Sequence, residues 1–396
     1  MKLQQNYSYL IVGAGIAGLS AIKTIRQTDT QSSILLISNE DRLPYKRTKI
    51  NKSMAAGFSK DEFMLNPEDW YKAQHVDLAF EEVLKINTAE NEVVLADGQI
   101  IRYNKLLLAP GATPVYPVID GISDSDLLNV HFAKNVEHIR NMLANKNEVL
   151  IIGGSVEGLE TANQLIKMGK KVVVIDRLKD PLGKLFPDYL TKKIYADMHQ
   201  AGVVYLPGFT LNKLVKTDDK RYKMDTPEYK TTFDALLVCA GVRPNIRLAE
   251  HTGIATDRGI LVNEYMQTSI SNIFAAGDVA QHPDGLVTGL WHPAEYQGYC
   301  AGENMLAVGS AYHPVPLRLK TTLFGNFYFS ANYHLSHSYR LDVSAEELNG
   351  VFREFYVLDA KVLGMVMMND KERAKTYQQA VAEQWPLEKV KEQLPL

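Results

Sequence analysis

Three glycines near the start of the chain, Gly13, Gly15 and Gly18, have the spacing of a turn that binds a pyrophosphate. This G-x-G-x-x-G pattern follows an apolar segment typical of a buried strand and precedes an apolar segment typical of a helix. Gly13 permits the tight turn, Gly15 lets the pyrophosphate approach the backbone, and Gly18 lets helix and strand pack closely. The phosphates then face free N–H groups at the helix N-terminus. The pattern therefore predicts a dinucleotide site.

A second turn of this kind contains Gly153, Ser155 and Gly158, between the apolar segment VLII and a predicted helix. Ser155 replaces the middle glycine, and its hydroxyl could turn to a phosphate. Glu157 precedes the last glycine, where an apolar residue near a nicotinamide is usual, and its carboxylate could repel a phosphate or favour a cationic nicotinamide. Two dinucleotide folds imply two dinucleotides, and the pair suited to redox chemistry is FAD with NAD(P)H.

Two carboxylates follow the turns at the distance expected of ribose ligands. Glu40 comes after the apolar segment SILLIS, and Asp176 ends the segment KKVVVID, 18 residues after Gly158. A carboxylate there accepts hydrogen bonds from ribose hydroxyls, and at the second turn it repels a 2′-phosphate. Asp176 therefore favours NADH over NADPH, although Arg177 next to it could do the reverse.

Two further segments are consistent with cofactor binding without requiring it. Gly277 and Asp278 follow a buried run, where the carboxylate could hold a cofactor hydroxyl or be an ordinary turn aspartate. The segment RLPYKRTKINK, residues 42–52, is either a solvated basic loop or a source of cations for a bound diphosphate and a flavin ring.

The two cysteines do not form a redox motif. Cys239 and Cys300 are 61 positions apart, whereas a catalytic dithiol usually needs close spacing. Cys239 lies in the apolar segment ALLVCAG and Cys300 in a predicted helix, so both are expected to be buried. A dithiol enzyme is therefore not expected.

Composition places the chain among ordinary globular proteins. A length of 396 residues predicts two or three domains. The net charge of −3 gives no electrostatic argument for nucleic-acid binding. No apolar run approaches the roughly 20 residues that span a bilayer, and the first strand begins too early to leave room for a signal peptide. We expect a cytoplasmic protein without membrane or nucleic-acid partners.

The elements that must position these residues form an α/β fold. The segment NEVVLADGQIIRYNKLLLAPGA predicts a hairpin turning at Asp97 and Gly98, followed by a buried strand. The composition changes after residue 313, where LRLKTTLFGNFYFSANYH and REFYVLDAKVLGMVMMND predict antiparallel strands before a charged helical tail. We expect two Rossmann-like domains and a C-terminal antiparallel α+β domain.

With these motifs in place, nearly the whole chain resembles the FAD-dependent pyridine nucleotide-disulfide oxidoreductase family, in its rubredoxin reductase and ferredoxin reductase branch. The matching segments are VGAGIAG, LPYKR followed by Lys52, NKLLLAPGATP, IIGGSVEGLE, CAGVRPN, TSISNIFAAGDV and WHPAEYQG. The resemblance implies an FAD domain in two segments, residues 1–116 and 247–313, an inserted NAD(P)H domain, residues 117–246, and an interface domain, residues 314–396. This sequence departs from the family pattern at two places. It has R-T-K-I-N-K where the family usually has R-P-x-L-S-K, and A-P-G where the family has A-T-G.

The resemblance also implies roles for individual residues. Arg47 would contact the flavin diphosphate region, and Lys52 would sit near flavin N5, paired with Glu160. Such a pair can stabilise the charge of a reduced flavin. Trp291 would lie beside the isoalloxazine, and the Gly277–Asp278 pair would hold FAD. The other cofactor-binding positions carried over lie in matching segments: Ala109, Gly111 and Gly241.

The absence of a cysteine from the first hundred residues does not fit the branches that use a single redox cysteine. What remains is a flavin that takes hydride from NADH and gives electrons to an outside acceptor, which the resemblance implies is a rubredoxin- or ferredoxin-like carrier. An NADH oxidase or quinone reductase with a small acceptor stays open, as does an NADH-responsive redox-sensing flavoprotein. Both monomer and homodimer are compatible with the sequence.

Overall fold

The computed structural model describes residues 3–180, 182–227 and 229–396, and the chain forms two compact units. Unit 1 contains Met1–Lys49, Phe58–Thr113 and Val242–Pro314. Unit 2 contains Ile50–Gly57, Pro114–Gly241 and Val315–Leu396. Each unit is therefore assembled from three separate segments of the sequence.

The helices and strands have the following bounds. The helices are α1 (Ile16–Thr28), α2 (Glu68–Ala73), α3 (Ala133–Met142), α4 (Val156–Lys167), α5 (Asp188–Gln200), α6 (Trp291–Met305), α7 (Ala374–Ala382) and α8 (Leu387–Gln393). The strands are β1 (Asn6–Val12), β2 (Ile34–Ile37), β3 (Val76–Ala79), β4 (Val83–Asn87), β5 (Glu92–Leu95), β6 (Ile100–Leu108), β7 (Ala112–Pro114), β8 (Leu127–Asn129), β9 (Glu148–Ile152), β10 (Lys171–Asp176), β11 (Val204–Pro207), β12 (Val215–Lys216), β13 (Tyr222–Asp225), β14 (Lys230–Phe233), β15 (Ala235–Val238), β16 (Val242–Pro244), β17 (Ile260–Leu261), β18 (Ile273–Ala275), β19 (Ala280–Gln281), β20 (Arg318–Leu323), β21 (Asn326–Ala331), β22 (Asp342–Leu348), β23 (Val351–Leu358) and β24 (Lys361–Met368).

The sheet of unit 1 has the order β3-β2-β1-β6-β5-β4, and β18 pairs with the last part of β6. Strands β3, β2, β1, β6 and β18 are parallel, as a dinucleotide fold requires. Strands β5 and β6 are antiparallel and joined through Gly98, whose φ of +86° only glycine adopts easily. The hairpin predicted at Asp97 and Gly98 is confirmed.

Helices α1 and α6 pack closely in unit 1 because α6 carries glycine at the contact. A Cβ atom on Gly298 would lie 2.1 Å from the carbonyl oxygen of Ala17, and one on Gly302 would lie 2.8 Å from that of Ala21. Any larger residue would push the helices apart. This contact fixes α1, which begins at the first glycine turn, against α6, which begins at Trp291.

The central sheet of unit 2 has the order β11-β10-β9-β15-β8, and its strands are all parallel. Strands β12, β13 and β14 form a small antiparallel sheet. The C-terminal residues form an antiparallel sheet in the order β20-β21-β24-β23-β22, and an apolar cluster joins it to α7 and α8. The predicted fold class, two parallel dinucleotide-type sheets and an antiparallel C-terminal part, is confirmed.

A buried guanidinium organises the C-terminal sheet of unit 2. Arg353 is only 1% exposed. Its Nε and Nη2 donate to Glu346 Oε2 over 2.8 and 2.6 Å. Its Nη1 donates to the hydroxyl of Tyr377 over 3.2 Å and to the carbonyl of Leu394. One side chain thus connects strands β22 and β23 with helix α7 and the last residues.

The structure adds elements that the sequence pattern does not predict. Helix α6, predicted around Cys300, begins with Trp291 and His292 in its first turn. Strand β22 and the sheet of β12–β14 were not predicted, because β12 and β22 are mostly exposed and the apolar alternation of β13, at Tyr222 and Met224, covers only four residues. Within the described residues, no helix has both the length and the apolar character needed to cross a bilayer.

Candidate functional site

The first glycine turn, in unit 1, leaves room for a ligand at Gly15. Gly13 has a φ of +112°, and a Cβ there would lie 2.0 Å from the carbonyl oxygen of Ala109. A Cβ on Gly18 would lie 2.3 Å from the carbonyl oxygen of Gly13. A Cβ on Gly15, by contrast, would meet no atom within 4 Å. The outer two glycines are needed by the fold, and the middle one faces open space.

The N-terminus of α1 is not capped by the chain itself. Gly15 is the N-cap residue, so no side chain accepts a hydrogen bond from the first turn, and that turn contains no acidic residue. The free N–H groups and the positive end of the helix dipole favour an anion. These features fit the pyrophosphate of a dinucleotide.

The second turn, in unit 2, repeats the same backbone contacts. Gly153 has a φ of +118°, and its Cβ would lie 2.2 Å from the carbonyl oxygen of Cys239. A Cβ on Gly158 would lie 2.0 Å from the carbonyl oxygen of Gly153. The hydroxyl of Ser155 donates to the carbonyl of Cys239 over 3.0 Å and accepts from the N–H of Gly158 over 3.4 Å. The polypeptide therefore uses this hydroxyl as the N-cap of α4, and a phosphate at this turn would meet backbone N–H groups.

The two predicted ribose carboxylates have different surroundings. Glu40 is buried in unit 1, where the hydroxyl of Tyr45 donates to Oε2 over 2.8 Å and Arg47 forms an ion pair with Oε1. Asp176 ends β10 in unit 2 and accepts 2.7 Å hydrogen bonds from the N–H groups of Gly154 and Leu178. A carboxylate has about four acceptor positions, so Asp176 keeps acceptor capacity for ribose hydroxyls.

Lys52 and Glu160, expected to pair, are brought together within unit 2. Lys52 Nζ lies 2.9 Å from Glu160 Oε1. Thr321 donates to the same oxygen over 2.6 Å, and the amide of Asn51 donates to Oε2 over 3.0 Å. Glu160 is buried, whereas the Lys52 side chain is 34% exposed. The carboxylate is thus fixed on three sides, and the lysine it holds stays accessible.

Asp278 is held in place by a turn whose supports the sequence did not reveal. Gly277 has a φ of +82°, and its N–H donates to the buried side chain of Gln297 over 2.7 Å. The amide nitrogen of Gln297 lies 2.9 Å from His282 Nε2. Gln297 and His282 were missed because their partners are distant in sequence.

The carboxylate of Asp278 has no hydrogen-bond or ion-pair partner among the described residues. Burial raises its pKa, and the charge of Arg47 opposes this effect. An unsatisfied, half-buried carboxylate beside a rigid turn fits a hydroxyl-bearing cofactor.

The other predicted residues lie near strand ends or at a helix start. Ala109 is buried directly after β6, and Trp291, half-buried, begins α6. Gly111 and Gly241 have φ values of +71° and +98°, and a Cβ on either would meet no atom within 4 Å. Their positions are compatible with binding and do not by themselves assign a role.

Both cysteines of the sequence are free and buried. Burial raises the pKa of the Cys239 thiol and of the Cys300 thiol. A thiolate is the reactive form, so neither residue is suited to thiol chemistry.

The sequence model for pyridine nucleotide-disulphide oxidoreductases matches residues 7–298. The nitric oxide reductase FlRd-NAD(+) reductase of Klebsiella pneumoniae is 29% identical over 313 residues, covering 78% of this chain and 82% of the relative. The rubredoxin-NAD(+) reductase of Acinetobacter baylyi is also 29% identical, covering 69% and 72%. The ferredoxin reductase structure from Rhodopseudomonas palustris has the same fold, with a TM-score of 0.83, 23% identity and coverage of 92% and 91%. Since the matched residues include both glycine turns, this chain belongs to the pyridine nucleotide-disulphide oxidoreductase family.

Proposed function

We propose that this protein is an FAD-dependent NADH oxidoreductase that passes electrons to a rubredoxin- or ferredoxin-like carrier protein. One observation supports it above all: two glycine turns with the same backbone contacts, each at the start of a helix that follows a parallel strand. A chain with two such turns can bind two dinucleotides.

The residues of unit 1 fit FAD. Gly13, Gly15 and Gly18 would hold its pyrophosphate on the free end of α1, and Glu40 would accept from a ribose hydroxyl while Arg47 neutralises charge. Asp278 would accept a further cofactor hydroxyl, supported by Gly277. When bound, FAD supplies the chemistry of hydride acceptance and stepwise electron release. We propose that Ala109, Gly111 and Trp291 complete this site.

The residues of unit 2 fit a nicotinamide dinucleotide, and we propose that NADH is preferred. Gly153, Ser155 and Gly158 would bind its pyrophosphate, and Gly241 would border the nicotinamide half. Asp176 already orders its loop, and its remaining acceptor positions suit the two adenosine ribose hydroxyls while its charge disfavours a 2′-phosphate.

Lys52 would supply a positive charge near the reduced cofactor, and Glu160 would hold that charge in position. The buried Glu160 holds the ammonium group of Lys52 in one place, and three partners fix the carboxylate itself. A preorganised cation stabilises negative charge that develops on a reduced cofactor, since it needs no reorientation during the reaction.

The carrier protein as acceptor is supported by the relatives and by the cysteines. The relatives from Klebsiella pneumoniae and Acinetobacter baylyi are named as NAD(+) reductases of FlRd and of rubredoxin. Members that reduce disulphides need an accessible thiol, and here both thiols are buried. Electrons must then leave to another molecule.

The proposal is tested by anaerobic absorbance titration of the purified protein. We expect a flavin spectrum that bleaches within the mixing time on adding NADH, more slowly with NADPH, and that recovers when oxidised rubredoxin or a [2Fe–2S] ferredoxin is added. Recovery with oxygen or a quinone alone would instead favour an oxidase or quinone reductase. A flavin that NADH bleaches only over minutes would contradict the reductase.

The cofactor assignment is tested separately with Asp278→Asn. We expect purified D278N to contain little flavin, measured as flavin absorbance per protein. Asp97→Asn is the control, because Asp97 lies in the exposed hairpin turn of unit 1 and accepts hydrogen bonds from the backbone and side chain of Gln99. Full flavin occupancy in D278N would refute the role of Asp278.

A further inference from the structure

Glu157 is a carboxylate that the fold of unit 2 does not use. It is the second residue of α4, directly before the glycine that packs against the turn. Its carboxylate forms no hydrogen bond or ion pair with any described residue. The two neighbouring carboxylates contrast with it, since Asp176 accepts two backbone hydrogen bonds and Glu160 has three side-chain partners.

Glu157 does not cap the N-terminus of α4 either. The first turn of α4 is capped by Ser155, whose hydroxyl accepts from the N–H of Gly158. A capping box would need its carboxylate at Gly158, one residue further along. Glu157 therefore has no capping role, and an unused carboxylate next to a ligand turn is a candidate ligand contact.

Glu157 lies on the side of the turn where the nicotinamide half of a dinucleotide belongs. Asp176 ends β10, on one side of β9, and marks the adenosine half. Cys239 follows β15, on the other side of β9, and the charge of Glu157 contributes to raising the pKa of its thiol. The start of α4 packs on this same side, since a Cβ on Gly158, the residue after Glu157, would lie 3.3 Å from the Cβ of Cys239.

Several ionisable groups surround Glu157, and none of the described residues forms an ion pair with it. Strands β9, β10 and β20, the segment 51–53 and the turn after β15 pack against α4 or adjoin its start. Their ionisable residues are Glu148, Lys171, Asp176, Arg318, Lys320, Lys52 and Cys239, and the other two on α4 itself are Glu160 and Lys167, the last residue of the helix. Burial and, secondly, repulsion from Glu160 raise the pKa of Glu157 to about 7, and Lys52 is already paired with Glu160.

We propose that Glu157 makes the second nucleotide site sense the charge of the nicotinamide ring. Its carboxylate form favours the oxidised ring, which is cationic, and its protonated form favours the reduced ring, which is neutral. The inference rests on the proposed binding of NADH at this turn and adds a determinant of which redox form is held.

The sign of the pH dependence follows from the two ring charges. Below pH 7 Glu157 is mostly neutral, so both forms of the ring meet an uncharged side chain. Above pH 7 the carboxylate attracts the cationic ring. A neutral ring that covers the carboxylate removes its hydration without supplying an opposite charge, which weakens binding of that ring. Binding of a neutral ring near pH 7 therefore takes up a proton, and alkaline pH promotes retention of NAD+ over NADH.

The experiment uses the oxidised flavoprotein and two ligands that cannot reduce it, NAD+ and 1,4,5,6-tetrahydro-NAD, whose ring is neutral. Dissociation constants are measured from pH 6 to pH 8.5 by protein fluorescence. Proton uptake is measured by calorimetry in buffers of different ionisation enthalpy. The variant is Glu157→Gln, which keeps the side-chain volume. The matched control is Glu148→Gln, at the opposite end of β9 from the turn.

In wild type and E148Q we expect the ratio of the Kd for the neutral analogue to the Kd for NAD+ to rise with pH. The rise should be roughly fivefold, as expected for a partly screened unit charge a few ångströms from the ring. In E157Q the ratio should be constant and the proton uptake lost.

Each other outcome contradicts the proposal in a recognisable way. If both ligands bind wild type but the ratio does not depend on pH, or depends on it equally in E157Q, Glu157 is not the sensor although the nucleotide site stands. If neither ligand binds the flavin-loaded wild type, the proposed function fails together with this inference.

Discussion

The ion pair between Lys52 and Glu160 should couple their contributions to the stability of unit 2, and a double-mutant cycle measures that coupling. The variants are Lys52→Met, Glu160→Gln and the two combined. The Nζ–Oε1 distance of 2.9 Å gives a Coulomb energy of about 1.4 kcal/mol at a dielectric constant of 80 and about 6 kcal/mol at 20. Solvent screens the lysine, whose side chain is 34% exposed, so the lower part of this range applies. We expect a coupling energy of about 1–2 kcal/mol.

Each single variant should lower the free energy of unfolding by more than the coupling energy. Glu160→Gln keeps an acceptor for Asn51, but it leaves Lys52 without a counter-charge. Lys52→Met leaves the buried carboxylate of Glu160 with two neutral donors, Asn51 and Thr321. Removing one partner of a buried pair is the destabilising change, whereas removing both is partly compensated.

The assay is urea unfolding at pH 7 with excess FAD, followed by fluorescence and circular dichroism. Because the protein has two units, the transition used for the cycle is the one that both single variants shift. The cycle is repeated at 0.05 and 0.5 M salt. A coupling energy below about 0.3 kcal/mol, or one that disappears at high salt, would show that the pair behaves as an exposed surface pair and would refute this reasoning.

The remaining predictions concern three other carboxylate and guanidinium groups. Asp176→Asn should weaken NADH binding by about 1–3 kcal/mol and NADPH binding less, because it removes charge and one acceptor; equal affinity for NADH in a fluorescence titration would contradict this. Arg353→Met should lower the free energy of unfolding by about 2–3 kcal/mol, since Glu346 Oε2 and the carbonyl of Leu394 lose their donors, whereas an unchanged Tm would show that the network contributes nothing. Glu157→Gln should stabilise the protein with a pH dependence: the folded-state pKa is raised to about 7, so wild type loses stability as pH rises from about 4.5 to 7. The difference in free energy of unfolding between E157Q and wild type should change by at most about 3 kcal/mol over this pH range, and by less because Glu157 is partly exposed. A difference that does not depend on pH would refute the raised pKa of Glu157.

The sequence predicts the parts of this fold that depend on local pattern. Gly13 and Gly153 could be placed because a tight turn between an apolar strand and an apolar helix leaves a regular spacing. The hairpin at Gly98 and the C-terminal strand pairs could be placed for the same reason. Each of these features is set by residues within a few positions of one another.

The sequence does not predict contacts whose partners are far apart. The hydroxyl of Ser155 turns to the carbonyl of Cys239, 84 residues away, which no local pattern indicates. Gln297 supports Gly277 across 20 residues, and its role becomes visible only when α6 packs beside the turn. The pairing of Lys52 with Glu160 was expected only through family resemblance, since 108 positions separate them. Long-range geometry depends on how elements pack, and the pattern within each element does not encode it.

The burial of Cys239 and Cys300 has a practical consequence for measurement. The sequence has no other cysteine, and both thiols are shielded and hard to ionise, so maleimide reagents should leave the native protein unlabelled. One cysteine introduced at an exposed position, such as Val118, which is 95% exposed, would then carry a dye without removing either native residue. The native sequence is therefore suited to site-specific dye labelling for single-molecule fluorescence without removal of its own cysteines. An exposed cysteine can be introduced in either of the two compact units.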